Sequence, residues 1–251
     1  MPNLRFAAPK EKRVALITGG ARGIGRASAL RIAEEGRDIV SADVLEAKGA
    51  EVVKEVEALG SRGVFVKTDV TYFDSVQAAV EKTIETFGRL DILVCCAGIL
   101  GLEAPFFEQS PEQFDKVMKI NVYGVYYAHK LAIAHMLKRG WGRCLTMTSG
   151  ARRAATTQVP YGVSKGAVYS FIGALGNAYP KQGVFVNGVE PGRALTDMVV
   201  PRFSAEHLAN PGTPIGRYAD PEEVAEVIEF LCSERNTYVS GAVWSAKGGT
   251  G

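Results

Sequence analysis

Cysteine is scarce in this chain: four residues, at positions 95, 96, 144 and 232, with no CxxC spacing and no Cys/His cluster. Neither a disulfide scaffold nor a metal site is therefore expected. Cys95 and Cys96 close the apolar run Asp91-Ile-Leu-Val-Cys-Cys and read as buried thiols rather than a vicinal disulfide. An excess of one charge is also missing. The 29 Lys and Arg residues face 27 Asp and Glu, a formal balance of +2, too weak a field to gather nucleic acid or an anionic membrane. Apolar runs all fall short of the roughly 18 to 20 residues that a bilayer span needs. The opening MPNLRFAAPKEKR lacks the apolar centre of a secretory signal. These absences together predict a cytoplasmic protein in a reducing setting, whose partner is a small molecule.

What is present is an alternation. A chain of 251 residues with 47% hydrophobic and 22% charged residues is ordinary for a globular fold. Short runs rich in aliphatic and β-branched residues recur at 14–18, 38–42, 63–67, 92–96, 144–148, 185–189 and 242–244. Between them lie stretches of helical periodicity at 24–35, 47–59, 76–87, 113–137, 164–179 and 222–232. Strand and helix in repetition predict a parallel sheet covered on both faces. The expected architecture is one doubly wound Rossmann-type α/β domain, with a sheet of about seven parallel strands flanked by helices. It occupies 13–251, after an N-terminal extension over 1–12. Helix starts are expected at Thr71 with Asp74, at Ser110-Pro111-Glu112 and at Asp220-Pro221-Glu222.

Thr-Gly-Gly-Ala-Arg-Gly-Ile-Gly, residues 18–25, follows the first strand and precedes the first helix. Glycines there let the backbone turn sharply and approach a pyrophosphate, whose charge the helix N-terminus favours. Asp43 ends the second strand eighteen residues beyond Gly25, near the spacing of an acid that accepts both hydroxyls of an adenosine ribose. A carboxylate there would repel a 2′-phosphate, which favours NAD over NADP. Arg22, inside the loop, argues the other way. Further on, Tyr161 and Lys165 stand four residues apart at the opening of a helical stretch, and so share one face. A neighbouring ammonium is expected to lower the phenol's pKa from about 10 and make it a usable acid and base.

With these motifs the sequence resembles the short-chain dehydrogenase/reductase family from about Lys12 to Gly249. The resemblance is carried by the 18–25 loop, Asp69-Val70, Ala97-Gly98, Asn121, Thr148-Ser149, Tyr161 with Lys165, and Asn187-Gly-Val-Glu-Pro191-Gly192 with Thr196. It implies a catalytic tetrad of Asn121, Ser149, Tyr161 and Lys165. It also implies a cofactor site made of Gly19, Arg22, Gly23, Ile24, Gly25, Asp43, Asp69, Val70, Ala97, Gly98, Val189, Pro191, Gly192 and Thr196, together with Tyr161 and Lys165. The implied activity interconverts a secondary alcohol and a ketone by hydride transfer, with Tyr161 passing the proton and Asn121 positioning Lys165. The implied assembly is a homotetramer, with Tyr126, Tyr169 and Phe171 in subunit contacts. The chain departs from the family's habits in three places, one of them Phe185, which stands where the family often has Arg. Cys95-Cys96 replaces a pair of amides, and Ser149 precedes Tyr161 by twelve residues where one more is commoner, which leaves Thr148 as a rival to Ser149.

Substrate choice is expected in the irregular segments beyond the strand ends, at 99–103, 150–160 and 193–216. Arg152 and Arg153 follow Ser149 and offer guanidinium forks to an anionic substrate, or else are two solvated loop charges. The Pro-containing stretch 193–216 reads as a lid. The rival functions are an NADPH-dependent ketone reductase of the 3-oxoacyl carrier type and a regulator that kept the fold without catalysis. The presence of all four tetrad residue types disfavours the second.

Overall fold

The computed structural model describes residues 12–210 and 212–249. Of the expected N-terminal extension, residues 1–11 lie outside the described residues; Lys12 pairs with Asp38 at 2.7 Å. Seven parallel strands, β1 (Val14–Thr18), β2 (Asp38–Asp43), β3 (Gly63–Lys67), β4 (Ile92–Cys95), β5 (Gly142–Met147), β6 (Val184–Pro191) and β7 (Val243–Ala246), form one sheet in the order β3-β2-β1-β4-β5-β6-β7. β1, β2, β4 and β5 are buried along their whole lengths. This is why they lack the alternation of a one-faced sheet.

The connecting helices are α1 (Gly23–Glu34), α2 (Glu46–Ala58), α3 (Phe73–Phe87), α4 (Pro111–Met118), α5 (Gly124–Arg139), the single turn α6 (Ala151–Ala154), α7 (Val159–Ala178), the short α8 (Ala205–Ala209) and α9 (Pro221–Cys232). They leave two apolar cores, one on each face of the sheet. α3, α5 and α7 supply residues such as Val80, Met136 and Ile172 to one, and α1 and α9 supply Ile32 and Ile228 to the other. The order of strands reverses between β1 and β4. In such a sheet, ligands gather in the crevice beyond the carboxyl ends of those strands. Among the described residues no helix is long and apolar enough to cross a membrane.

Several local expectations are corrected. The continuous helix expected over 113–137 is broken by a π-helical turn, Lys119–Tyr123, between α4 and α5. One extra residue in that turn rotates the phase of the helix, a feature that recurs at functional sites. Helix α7 begins at Val159, before Ser164, because Pro160 stands in its first turn, where the missing N–H costs nothing. Thr71 does not cap α3; its N–H and hydroxyl both donate to Asp69 Oδ1, at 2.9 and 2.7 Å. Ser110 does cap α4, accepting from the Gln113 N–H while Gln113 accepts from its own. Phe171 is half-buried and packs edge-on against the buried His129 at the margin of the core, ring centres 5.4 Å apart. The four cysteines are free thiols, and burial pushes Cys95 up to about 12.

Candidate active site

The switch point opens into a cavity of about 790 Å³, within the span of roughly 300 to 1,000 Å³ usual for small-molecule and cofactor sites. It runs from the glycine loop and Asp43 past Asp69, Val70, Ala97 and Gly98 to Ser149, Tyr161 and Lys165, and is closed by Pro191, Gly192, Thr196 and the segment beyond. All the expected cofactor residues line it except Val189, which is fully buried in the core beneath.

The glycine loop can turn only as glycine. Gly19 has φ +70°, and a Cβ there would lie 2.5 Å from the Ala97 nitrogen; a Cβ on Gly25 would lie 2.0 Å from the Gly19 carbonyl oxygen. Free backbone at the start of α1 therefore faces the cavity with no side chains between, a cradle fit for a diphosphate. The Asp43 carboxylate braces this loop. Oδ2 accepts from the Ala21 N–H and Oδ1 from the Leu45 N–H, each at 3.1 Å. Arg22 reaches Asp197 at 3.8 Å, where Lys48 also binds at 2.8 Å.

At the other end, Tyr161 and Lys165 project from α7 into the same space. The Lys165 ammonium lies 5.6 Å from the Tyr161 ring centre and donates to the Met147 carbonyl at 2.8 Å. Burial pushes it down to about 8. Tyr161 departs from the expectation: burial raises its phenol above the ordinary value, and the nearby Ser149 hydroxyl opposes that only in part. Lys165 is anchored on the Met147 carbonyl. Ser149 is the hydroxyl at the phenol, whereas Thr148 is committed to the strand, its Oγ1 donating to the Val189 carbonyl at 3.2 Å.

Asn121 sits in the π-helical turn and is 1% exposed. Its Nδ2 donates to the Ile99 carbonyl at 2.9 Å and to Ser164 Oγ at 3.0 Å, and its Oδ1 accepts from the Ile99 N–H at 2.9 Å. It thus holds the loop after β4 rather than bonding Lys165 directly. Arg152 and Arg153 are not brought into the cavity. Arg152 Nε donates to Glu190 at 2.9 Å, its guanidinium lies 4.1 Å over Tyr169, and Arg153 is exposed. The cavity takes its charged and polar lining from Glu103, Gln158, Arg193 and Arg202 instead. These are residues with no local motif to announce them.

The comparisons with known proteins agree with this geometry. The family described as Enoyl-(Acyl carrier protein) reductase matches residues 19–251. The chain is a short-chain dehydrogenase/reductase. It is 38% identical over 243 residues to the cis-4-hydroxycyclohexanecarboxylate dehydrogenase of Sinomonas cyclohexanicum, covering 95% of this chain and 96% of that one. It is 36% identical to the A-factor type gamma-butyrolactone 1'-reductase (1S-forming) of Streptomyces virginiae, covering 94% and 95%. The structure of 3-ketoacyl-(acyl-carrier-protein) reductase from Brucella melitensis complexed with NADH superposes with a TM-score of 0.89 at 30% identity, covering 95% and 98%. As a short-chain dehydrogenase/reductase, the protein is an NAD(P)-dependent oxidoreductase of hydroxyl and carbonyl groups.

Proposed function

We propose that this short-chain dehydrogenase/reductase uses NAD in preference to NADP and interconverts an apolar-bodied secondary alcohol with its ketone, Tyr161 carrying the proton. The observation that carries the reading is one continuous cavity with Asp43 at one end and the Ser149, Tyr161 and Lys165 group at the other. Bound along it, NAD supplies the hydride chemistry.

The chain's own residues do the rest. Tyr161 as phenolate takes the alcohol proton in oxidation, and as phenol it gives that proton to the carbonyl oxygen in reduction. Ser149, whose hydroxyl lies beside that phenol, holds the substrate oxygen there and stabilises the charge that develops on it. Lys165, fixed on the Met147 carbonyl, keeps a positive charge under the ring. Asn121 keeps the loop after β4 in place. NAD preference rests on Asp43, while Arg22, the residue that argued for NADP, shares Asp197 with Lys48.

Ile99, Leu100, Met198, Val199 and Phe203 give the substrate end apolar walls. Arg202 adds a cation, paired to Glu103 at 3.5 Å. A hydroxy acid with an alicyclic or similarly apolar body suits such a lining, and the Sinomonas relative is named for one. The carboxylate partner is then Arg202 in place of Arg152 and Arg153. The segment 193–216, whose Pro211 lies outside the described residues, serves as the lid. We also propose a cytoplasmic homotetramer, supported by Tyr126 and Tyr169, which are 42% and 43% exposed in the single chain.

The test is a panel of alicyclic hydroxy acids, neutral alcohols, sugars and 3-oxoacyl thioesters assayed with both cofactors. The highest kcat/KM is expected for NAD with a hydroxy acid. NADPH-dependent reduction of a 3-oxoacyl thioester as the best reaction would favour the second reading, whose substrate class, though not its cofactor, matches the name of the Brucella structure.

A further inference from the structure

Glu190 is a buried carboxylate that the chemistry above does not use. It stands near the end of β6, one residue before Pro191-Gly192, and is 2% exposed. Buried charge is costly unless it is paired and hydrogen-bonded, and here each oxygen has its own cation. Arg152 Nε donates to Oε2 at 2.9 Å and Lys247 Nζ to Oε1 at 2.6 Å.

The two cations come from opposite sides of the active site. Arg152 belongs to α6, the turn that leaves Ser149. Its backbone N–H donates to the Ser149 carbonyl at 3.2 Å, and the Ala151 N–H donates to Ser149 Oγ at 3.2 Å. Its guanidinium carbon lies 4.1 Å from the Tyr169 ring centre. Tyr169 follows Lys165 by four residues and Tyr161 by eight, so all three share one face of α7. Lys247 follows β7 and lies against Gly192: the Gly192 N–H donates to the Ala246 carbonyl at 2.8 Å, and a Cβ on Gly192 would meet the Lys247 Cα at 2.8 Å. Burial opposes the ionised form of Glu190, but the two cations outweigh it and hold the carboxyl below its ordinary range.

We propose that Glu190 is a positioning residue: with Arg152 and Lys247 it forms a buried ionic clamp that ties the Ser149 turn to the Tyr161 helix and to the Pro191-Gly192 corner, and so sets the Ser149 hydroxyl at the phenol. The chain of contacts runs from Glu190 to the Arg152 side chain, from the Arg152 N–H to the Ser149 carbonyl, and from the Ala151 N–H to the Ser149 hydroxyl, which lies beside the Tyr161 phenol. The clamp acts through Ser149. It rests on the reading of Ser149 and Tyr161 as the proton machinery.

The test compares Glu190→Gln, Arg152→Ala and Arg152→Lys with wild type, with turnover expressed per NAD-binding site. Misplacing a reacting group by about 1 Å costs on the order of 10²-fold, so kcat per site should fall roughly 10- to 100-fold in Glu190→Gln and Arg152→Ala. NAD affinity should change little. Added guanidinium should restore part of the loss in Arg152→Ala, Arg152→Lys should fall between, and the double variant Glu190→Gln with Arg152→Ala should be no worse than the more impaired of its two singles. Arg153→Ala, exposed on the same turn, should behave as wild type. A merely structural clamp would lower the melting temperature and the number of NAD-binding sites while leaving kcat per site unchanged. That result, with Tyr161→Phe inactive, overturns the proposal. An active Tyr161→Phe would instead bring down the proton reading, and the clamp's role with it. Should Glu190→Gln not fold, the Arg152 variants and guanidinium rescue decide the matter alone.

Discussion

Asp43 has two tasks, and its replacement should separate them. As the brace of the glycine loop it accepts two backbone N–H groups; as the proposed ribose acid it would give up charge-assisted hydrogen bonds worth about 1.5 to 3 kcal/mol. Asp43→Ala should lower kcat/KM for NAD about 10- to 100-fold and narrow its gap to NADP, as steady-state kinetics with both cofactors would show. An unchanged NAD preference would remove Asp43 from that role. Tyr161 and Lys165 make predictions in opposite directions of pH. Burial raises the phenol, so a spectrophotometric titration of cofactor-free wild type minus Tyr161→Phe should place Tyr161 above its ordinary value. Lys165 is pushed down by burial from 10.5 to about 8. Between those pH values the unfolded chain still holds a proton that the native protein has released, so stability gained from this group rises with pH through that window. Urea unfolding should show Lys165→Met more stable than wild type below pH about 8, and the difference shrinking as pH rises. A gap that widens would contradict the burial argument.

At the scale of elements, the turn from β1 into α1 is the most exacting piece of backbone. A methyl group on Gly25 would fall 2.0 Å from the Gly19 carbonyl, and overpacking of this kind costs about 1 to 3 kcal/mol. Gly25→Ala should therefore weaken NAD binding and lower thermal stability together, measured by fluorescence quenching and calorimetry. This turn was also the most legible in the sequence, because a β-branched run, a glycine cluster and helical periodicity follow one another without a gap. β1 and β3 match their sequence runs residue for residue for the same reason. The helix over 113–137 was misread because the apolar pattern carries on through Lys119–Tyr123; only its hydrogen bonding shows the extra residue that turns Asn121 inward. Arg152 was misread for a different reason. Adjacency to Ser149 says nothing of where a side chain points, and its partner Glu190 is 38 residues away. Gln158 and Arg202 line the cavity through tertiary placement alone.

The whole molecule is a sheet whose strand order reverses at β1 and β4, and the crevice this makes is the one we propose cofactor and substrate share. A cofactor bound there stabilises the native state by mass action, about 2.7 kcal/mol at a concentration 100 times Kd. NAD should raise the melting temperature more than NADP at equal concentration. The proposed tetramer should sediment at about 108 kDa, four times the 26.9 kDa chain; a monomer at micromolar concentration would contradict it. The central claim is that the phenol of Tyr161 carries the proton at the end of this crevice. Its most direct test is the turnover of Tyr161→Phe relative to wild type, at saturating NAD and the best alcohol of the panel. A general acid–base group contributes about 10²- to 10⁴-fold, so the variant should bind NAD as wild type does and retain less than about a hundredth of its turnover. Retention of more than about a tenth, with NAD affinity intact, would contradict the account.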